Sequence, residues 1–340
     1  MTAATTGHPA LRWDGARLRV LDQTRLPSQE TWIELTGAAD TAAAIRALAV
    51  RGAPLIGIAA AYGLAMELAT LPGLGTLERA AAELRGARPT AVNLAWAVDR
   101  VDAAARRAGP ARMAAAARAE AQTLHAQEDA ASIAIATSGA GLLAGVTRLL
   151  THCNTGALAT GGEGSALAIA AALHRRGELT VIAGETRPLL QGARLTIWEL
   201  ARLGIPHELV VDAAGPGLIR RGLIDAVVVG CDRVAANGDV ANKVGTYPLA
   251  LAAREAGIPF VVAGPTSSID ASLADGDGIE IEERGADEVR LVGGVAVTLP
   301  GTVVRNPAFD VTPADLVTAL VTERGTARPV SAEAIAGLLA

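Results

Sequence analysis

The chain carries one lysine, Lys243, against 29 arginines. It lies in the polar run Ala235-Ala-Asn-Gly-Asp-Val-Ala-Asn-Lys243-Val-Gly-Thr-Tyr247. A lysine ammonium is a compact, movable point charge and an arginine a fixed planar fork, so a site that holds one phosphate or oxyanion at one point can require the lysine. The plain alternative is a survivor in an arginine-biased composition. Asp232 stands eleven residues earlier, in Gly230-Cys231-Asp232-Arg233 after an apolar run. A carboxylate at the mouth of a dry strand layer tends to have a raised pKa, which suits general acid–base work near neutral pH; a pair with Arg233 or a turn cap would explain it equally. Cys153 closes a similar run in His152-Cys153-Asn154, where a small core residue is the usual fate of cysteine.

Three further stretches carry candidate binding groups. Gly156 to Gly164 holds four glycines within nine residues ahead of a helical pattern, and free backbone N–H groups at a helix start make a ready anion site. The stretch lacks both G-x-G-x-x-G and the Walker pattern, which weakens a dinucleotide reading even though Glu185 follows about 20 residues later. Glu185-Thr-Arg-Pro-Leu-Leu-Gln-Gly192 crowds polar groups at the next strand end, with Arg187 in an ion pair or cap as the alternative. Val50-Arg-Gly-Ala-Pro-Leu-Ile-Gly57 and Arg88-Pro-Thr-Ala-Val-Asn93 each place one arginine in or beside a turn. Arginine suits bidentate phosphate recognition, and among 29 arginines each could also be a solvated surface charge.

These groups need elements to position them. The start reads as a hairpin, Leu11 to Trp13 and Arg17 to Leu21 around Asp14-Gly15. Helical patterns follow at Thr41 to Val50, Ile56 to Thr70, Ala91 to Ala108 and Arg112 to Ala131, broken by Leu71-Pro-Gly-Leu-Gly75 and Gly109-Pro110. From about residue 136 short aliphatic runs alternate with helical patterns. The strand candidates are Arg148 to Cys153, Thr180 to Ala183, Glu208 to Val211, Ala226 to Gly230 and Pro259 to Ala263. Ser165 to Arg176, Ala193 to Leu203, Pro216 to Arg221 and Val244 to Ala256 fill the gaps as helices. Such alternation predicts an α/β fold with a parallel sheet, whose ligands sit outside the carboxyl ends of the strands.

Bulk properties narrow the classes. At 340 residues the chain has room for two domains, read here as 1–130 and 131–340. It is 51% hydrophobic and 2% aromatic, with a formal net charge of -5. That argues against a nucleic-acid partner, which a basic surface with stacking aromatics would serve. Cys153 and Cys231 are too few for a disulfide framework and lack zinc-ligand spacing. No secretory pattern opens the chain, and no run of about 18 uninterrupted apolar residues suggests a membrane span. The expectation is a cytoplasmic protein with no membrane partner.

Taken together, the strings resemble one family. Arg51-Gly-Ala-Pro-Leu-Ile-Gly57, Arg88-Pro-Thr-Ala-Val-Asn-Leu94, Thr151-His-Cys-Asn-Thr-Gly156, Glu185-Thr-Arg-Pro-Leu-Leu-Gln-Gly-Ala-Arg-Leu195, Asp232 to Tyr247 and Asn306-Pro-Ala-Phe-Asp-Val-Thr-Pro313 resemble, in order, the S-methyl-5-thioribose-1-phosphate isomerases of methionine salvage. The family is related to ribose-1,5-bisphosphate isomerases and to regulatory translation-factor subunits that lack the activity. The resemblance implies a mostly helical N-terminal domain with a small antiparallel sheet, a C-terminal Rossmann-like parallel-sheet domain, a homodimer, a sugar phosphate substrate and no cofactor or metal. By motif position it assigns Cys153 and Asp232 as the catalytic pair, and Arg51, Gly52, Ala53, Arg88, Gln191, Asn242 and Lys243 as substrate contacts. Cys231 departs from the alanine common at that position, a small-for-small change. The open alternatives are activity on ribose 1,5-bisphosphate or 5-deoxyribose 1-phosphate, and a non-catalytic regulatory subunit.

Overall fold

The computed structural model describes residues 10–88 and 91–340; Met1 to Pro9, and Pro89 and Thr90 of the Arg88 string, lie outside the described residues. The chain divides into two compact units, Met1–Ile133 with Thr155–Gly164, and Ala134–Asn154 with Ser165–Ala340.

In the first unit β1 (Leu11–Trp13), β2 (Leu18–Leu21) and β3 (Trp32–Leu35) form an antiparallel sheet. The turn between β1 and β2 forms because Gly15 takes φ +101 and the Asp14 carboxylate accepts from the N–H groups of Ala16 and Arg17 at 2.9 and 2.8 Å. Four helices follow: α1 (Ala38–Arg46), α2 (Ala53–Thr70), α3 (Leu74–Arg85) and α4 (Val92–Ala108). Helix α2 is apolar on nearly every side because α1, α3 and α4 all pack on it. Its 18 residues have a mean hydropathy of 1.4, enough to cross a membrane by length and composition, yet 72% of them are buried within the fold. The sequence reading marked only a break before α3; the break is its start, with Gly73 as the N-cap. Helix α5 (Met113–Leu142) runs 30 residues, well past the expected end at Ala131, because no proline or glycine interrupts it before Gly139.

The second unit is built on a seven-stranded sheet. Its strands are β4 (Arg148–Thr151), β5 (Thr180–Gly184), β6 (His207–Val210), β7 (Ala226–Val229), β10 (Phe260–Ala263), β15 (Ala319–Thr322) and β16 (Gly325–Ala327). Their order is β16-β15-β10-β7-β4-β5-β6, parallel except for β16. Successive buried residues go to opposite faces. Ala226 and Val228 join the cluster containing Leu167 and Ile169 of α7 (Ala166–His174) and Leu200 of α8 (Ile197–Leu203). Val227 and Val229 join the cluster with Ile219 of α9 (Ala214–Arg220), Leu249 and Ala253 of α10 (Thr246–Ala256) and Ile335 of α12 (Ala332–Leu339). Both faces being covered explains why these strands read as unbroken aliphatic runs.

A second sheet of β11 (Ile269–Asp270), β8 (Arg233–Ala235), β9 (Val240–Lys243) and β14 (Phe309–Thr312) follows the end of β7. The sequence reading placed no strands there. The β8–β9 hairpin closes on Asn237-Gly238-Asp239: Gly238 takes φ +93, and the Asp239 carboxylate accepts from Asn237 Nδ2, Gly276 N and Ala314 N. The α11 helix (Asp287–Arg290) leads into a small hairpin of β12 (Leu291–Val292) and β13 (Val295–Ala296).

Candidate functional site

The strand order of the second unit reverses at its centre. From β4 the chain steps to β5 and β6 on one side, then returns to β7, β10 and β15 on the other. Adjacent crossovers therefore leave in opposite directions from β4 and β7, the arrangement that opens a crevice at the carboxyl ends of a parallel sheet. Leu150 pairs with Val227 across these two strands. Cys153 and Gly230 are each three residues further on, so the paired strands deliver Cys153 and the Gly230-Cys231-Asp232 segment to the same edge.

Cys153 is buried and takes φ +64, the left-handed region that costs a side-chain-bearing residue on the order of 1–2 kcal/mol. Two threonines hold it there. Its N–H donates to Thr186 Oγ1 at 2.9 Å, and its carbonyl accepts from Thr196 Oγ1 at 2.6 Å. Thr196 is aimed by a π-helical turn, Gly192–Thr196, that runs into α8. Gly192 opens this turn because any Cβ there would overlap the Gly184 carbonyl. A non-glycine residue over-determined in a rare conformation, beside a π turn, is the kind of strained position found at functional sites. Asn154 next along is buried and donates to Glu199 Oε1 at 2.6 Å.

Gln191 is the residue before the π turn, and its Oε1 is buried with no hydrogen-bond partner among the described residues. An orphaned acceptor beside Cys153's supports fits a group that meets substrate. Arg187, in the same loop, sends its guanidinium to the carbonyls of Pro188 and Val289 at 2.8 and 3.1 Å, and its backbone N–H to Asp212.

The β8–β9 hairpin sets the other side. Asp232 N donates to the Ala241 carbonyl at 3.0 Å, and Arg233 pairs with Ala241 in the ladder. That register brings Asn242 and Lys243 back alongside Asp232. Asn242 is buried and donates through Nδ2 to Thr246 Oγ1 at 2.9 Å. Lys243 Nζ donates to the Ala308 carbonyl at 2.7 Å and lies 4.6 Å from the Phe309 ring centre. Asp310, one residue on, accepts from Gly245 N at 2.7 Å and Tyr247 N at 3.2 Å. The Asn306-to-Pro313 string thus anchors the lysine and the start of α10. Burial pushes the Asp310 carboxyl up to about 6, against the lowering effect of those N–H donors. Arg233 meets Asp270 at 3.7 Å. Cys231 packs its Sγ where any side chain on Gly264 would stand, and burial followed by the Asp232 charge pushes its thiol up to about 12.

The remaining expected residues lie in the first unit. Arg51 precedes α2, Gly52 is its N-cap at φ +99, and Ala53 is its first residue. A Cβ on Gly52 would overlap the backbone of Ala159 in α6 (Ala157–Thr160). Arg88 precedes α4, whose Asn93 carbonyl would stand 2.8 Å from a Cβ on Gly57. The first turn of α4 therefore touches the second turn of α2, and Arg51 and Arg88 lead into neighbouring helices. The glycine-rich stretch differs from the expected open anion cradle. The N–H groups of Ala159 and Thr160 donate to the Gly156 carbonyl, Gly161 N to Ala157 O, and Gly162 N to Thr160 Oγ1. Its glycines serve close approach: Gly164 against Gly156 and Gly162 against Ser132 leave no room for a side chain.

Sequence reasoning missed the groups that position the assigned ones: His152, Thr186, Thr196, Asp212 and Asp310. His152, Thr186, Thr196 and Asp310 lay inside or beside the motif strings, but hydroxyls and a buried imidazole carry no spacing signal.

The chain matches the model of the "Initiation factor 2 subunit family" over residues 49–329. It is 52% identical over 341 residues to a methylthioribose-1-phosphate isomerase of Anaeromyxobacter sp. (strain K), covering 99% of both chains. It is 50% identical over 334 residues to another from Parasynechococcus marenigrum (strain WH8102), covering 97% of both. Its fold is similar to the crystal structure of 5-methylthioribose 1-phosphate isomerase from Pyrococcus horikoshii OT3, with a TM-score of 0.91, 36% identity and coverage of 99% of this chain and 96% of that one. It is also similar to a structure described as translation initiation factor eIF-2B, subunit delta, from A. fulgidus, with a TM-score of 0.85, 36% identity and coverage of 96% and 99%.

Proposed function

The chain belongs to the initiation factor 2 subunit family, and from that premise we propose that it is an aldose–ketose isomerase converting S-methyl-5-thio-α-D-ribose 1-phosphate to S-methyl-5-thio-D-ribulose 1-phosphate in methionine salvage. The observation that carries this reading is the retention of Cys153 and Asp232 at the ends of β4 and β7, with Cys153 locked in a rare backbone conformation. The near-full-length likeness to methylthioribose-1-phosphate isomerases at 50% and 52% identity supports the substrate. A non-catalytic regulatory subunit would have no use for a strained cysteine at the same sheet edge as a carboxylate-bearing segment, and the likeness to the A. fulgidus protein makes that reading an outcome of the test.

The substrate is a glycosyl phosphate, so its ring cannot open spontaneously as a free sugar's does. In the proposed mechanism Asp232, protonated, donates to the ring oxygen as the C1–O bond breaks. A hydrogen then moves from C2 to C1, either as a hydride or as a proton through a phosphoenolate, and the C2 hydroxyl becomes the ketone as its proton passes to the Asp232 carboxylate. Cys153 acts as the base on the second route and steadies developing charge on the first. A site poor in water favours the hydride route. Lys243, Asn242 and Gln191 contact the substrate, the lysine as a point charge. Arg51, Gly52, Ala53 and Arg88 are assigned substrate contact on the same motif resemblance, and the two guanidiniums suit a phosphate. The protein works as a cytoplasmic homodimer.

One set of assays tests the reading. Purified protein should form ketose from methylthioribose 1-phosphate faster than from ribose 1,5-bisphosphate, with 5-deoxyribose 1-phosphate as a slower substrate. Asp232→Asn should lower kcat at least about a hundredfold with substrate still bound. No turnover of any of the three sugars would leave the regulatory reading. Near-normal turnover by Asp232→Asn would remove the acid role. Deuterium placed at C2 and lost to solvent would exclude the hydride route.

A further inference from the structure

His152 immediately precedes Cys153 and is not among the assigned residues. It is 1% exposed. Its Nε2 is 2.8 Å from the Val244 carbonyl, in the residue after Lys243, and its Nδ1 is 3.7 Å from Asp212 Oδ1. A carbonyl only accepts, so Nε2 carries the proton and the Nδ1 lone pair faces the carboxylate. That juxtaposition is tolerable because the Asp212 charge is already taken up, with Oδ1 and Oδ2 accepting from the N–H groups of Thr186 and Arg187 at 2.7 Å each. Burial lowers the His152 pKa, Asp212 opposes that, and Lys243 adds to the lowering, so the neutral tautomer is the favoured form. The ring also fits a slot cut by two glycines. A Cβ on Gly184 would stand 3.0 Å from Nδ1, and one on Gly245 would stand 2.9 Å from Nε2.

One imidazole therefore touches three strand ends: its own after β4, the β5–β6 end through Asp212, and the β9–α10 turn through Val244. Each contact leads to an assigned group. Asp212 orders Thr186, whose hydroxyl holds the Cys153 N–H. Val244 is covalently next to Lys243. We propose that His152, fixed by the Val244 carbonyl and the slot between Gly184 and Gly245, is a positioning residue that holds the Lys243–Gly245 turn and the Cys153 backbone in one fixed geometry. The proposal rests on the isomerase reading for the meaning of that geometry. A misplacement of about 1 Å at reacting groups costs on the order of a hundredfold in rate, so a ring that ties two such groups together has that much to lose.

The test uses the full-length protein with His152→Ala and His152→Gln. Glutamine can reach the Val244 carbonyl with a side-chain N–H from the Nε2 position; alanine cannot. His152→Ala should lower kcat/KM at least about tenfold, with kcat falling as well as KM rising, and His152→Gln should recover to within about threefold of the parent. Iodoacetamide labelling followed by mass spectrometry reads the same geometry without turnover. In His152→Ala the Cys153 labelling rate should change at least about fivefold, while the rate at Cys231, partly buried in the same unit with its thiol pKa pushed up, stays unchanged as an internal control. Unchanged Cys153 labelling, or Cys153 and Cys231 changing together as in general loosening, would overturn the proposal, as would equal losses in both variants. A parent that labels as expected but turns over no methylthioribose 1-phosphate would overturn the isomerase reading and leave the positioning role standing.

Discussion

At the level of single residues, the proposed chemistry rests on a few side chains held more firmly than their own preferences require. Cys153 in the left-handed region is the clearest. A left-handed cysteine on the order of 1–2 kcal/mol above its relaxed state persists only because two threonine hydroxyls are already in place. Lys243 shows why the single lysine of the chain is where it is. Its ammonium meets the Ala308 carbonyl and the Phe309 face through short, separate contacts that a planar guanidinium would fill differently. Lys243→Arg should keep the fold, since the positive charge and the cation–π contact survive, but should raise KM or lower kcat by about tenfold or more in the ketose assay. Parent-like kinetics would return Lys243 to a compositional accident.

At the level of elements, the site is assembled from strand ends and the turns behind them. The π-helical turn Gly192–Thr196 works as a lever: it starts at a glycine pressed on Gly184 and ends at the hydroxyl that holds Cys153. Gly192→Ala would drive a methyl into the Gly184 carbonyl. The turn can yield only by moving Thr196, so the variant should lose at least about 2 kcal/mol in denaturant unfolding and most of its activity. Unchanged stability would show that the turn is free to shift. The sequence read the elements on this path unevenly. Arg148 to Cys153, Thr180 to Ala183, Glu208 to Val211, Ala226 to Gly230 and Pro259 to Ala263 all coincide with strands within a residue or two, because burial on both faces writes the inner ones as aliphatic runs, while β6 at the sheet edge keeps its apolar residues though it is half exposed. The β8–β9 hairpin and β14 were not read as strands. They are short and lined by small or polar residues such as Ala235, Asn242 and Asp310, and their stability comes from pairing with each other and from Asp239 accepting from Asn237 beside it and from Gly276 and Ala314 across 37 and 75 residues. No local period records that.

At the level of the whole molecule, one carboxyl ties the pH response of folding to the site. Asp310 has a folded-state pKa of about 6 against an ordinary value of 3.8, because burial outweighs its N–H donors. The folded state therefore binds this proton where the unfolded state does not, and the contribution of Asp310 to stability is greatest below about pH 4 and falls as pH rises through 6. The loss amounts to no more than about 3 kcal/mol. The unfolding free energy of the parent minus that of Asp310→Asn should accordingly decline between pH 4 and pH 7. A difference that stays flat, or grows with pH, would mean that the N–H donors of Gly245 and Tyr247 outweigh burial.

The same contrast runs through the identity of the site. Ordered strings of residue types, together with the alternation of aliphatic runs and helical patterns, were enough to indicate the family, the α/β class and five strands of the parallel sheet, though not β15, because those features are local in the chain or shared with relatives. Which groups hold the assigned residues was decided in three dimensions. Thr186 and Thr196 reach Cys153 from 33 and 43 residues away, His152 reaches Val244 across 92, and Asp310 reaches Gly245 across 65. A hydrogen bond leaves a mark in sequence only when its partners recur at a fixed spacing, as in a turn or a helix. These partners are brought within reach by the reversal of strand order at β4 and β7, so only the folded chain shows them together.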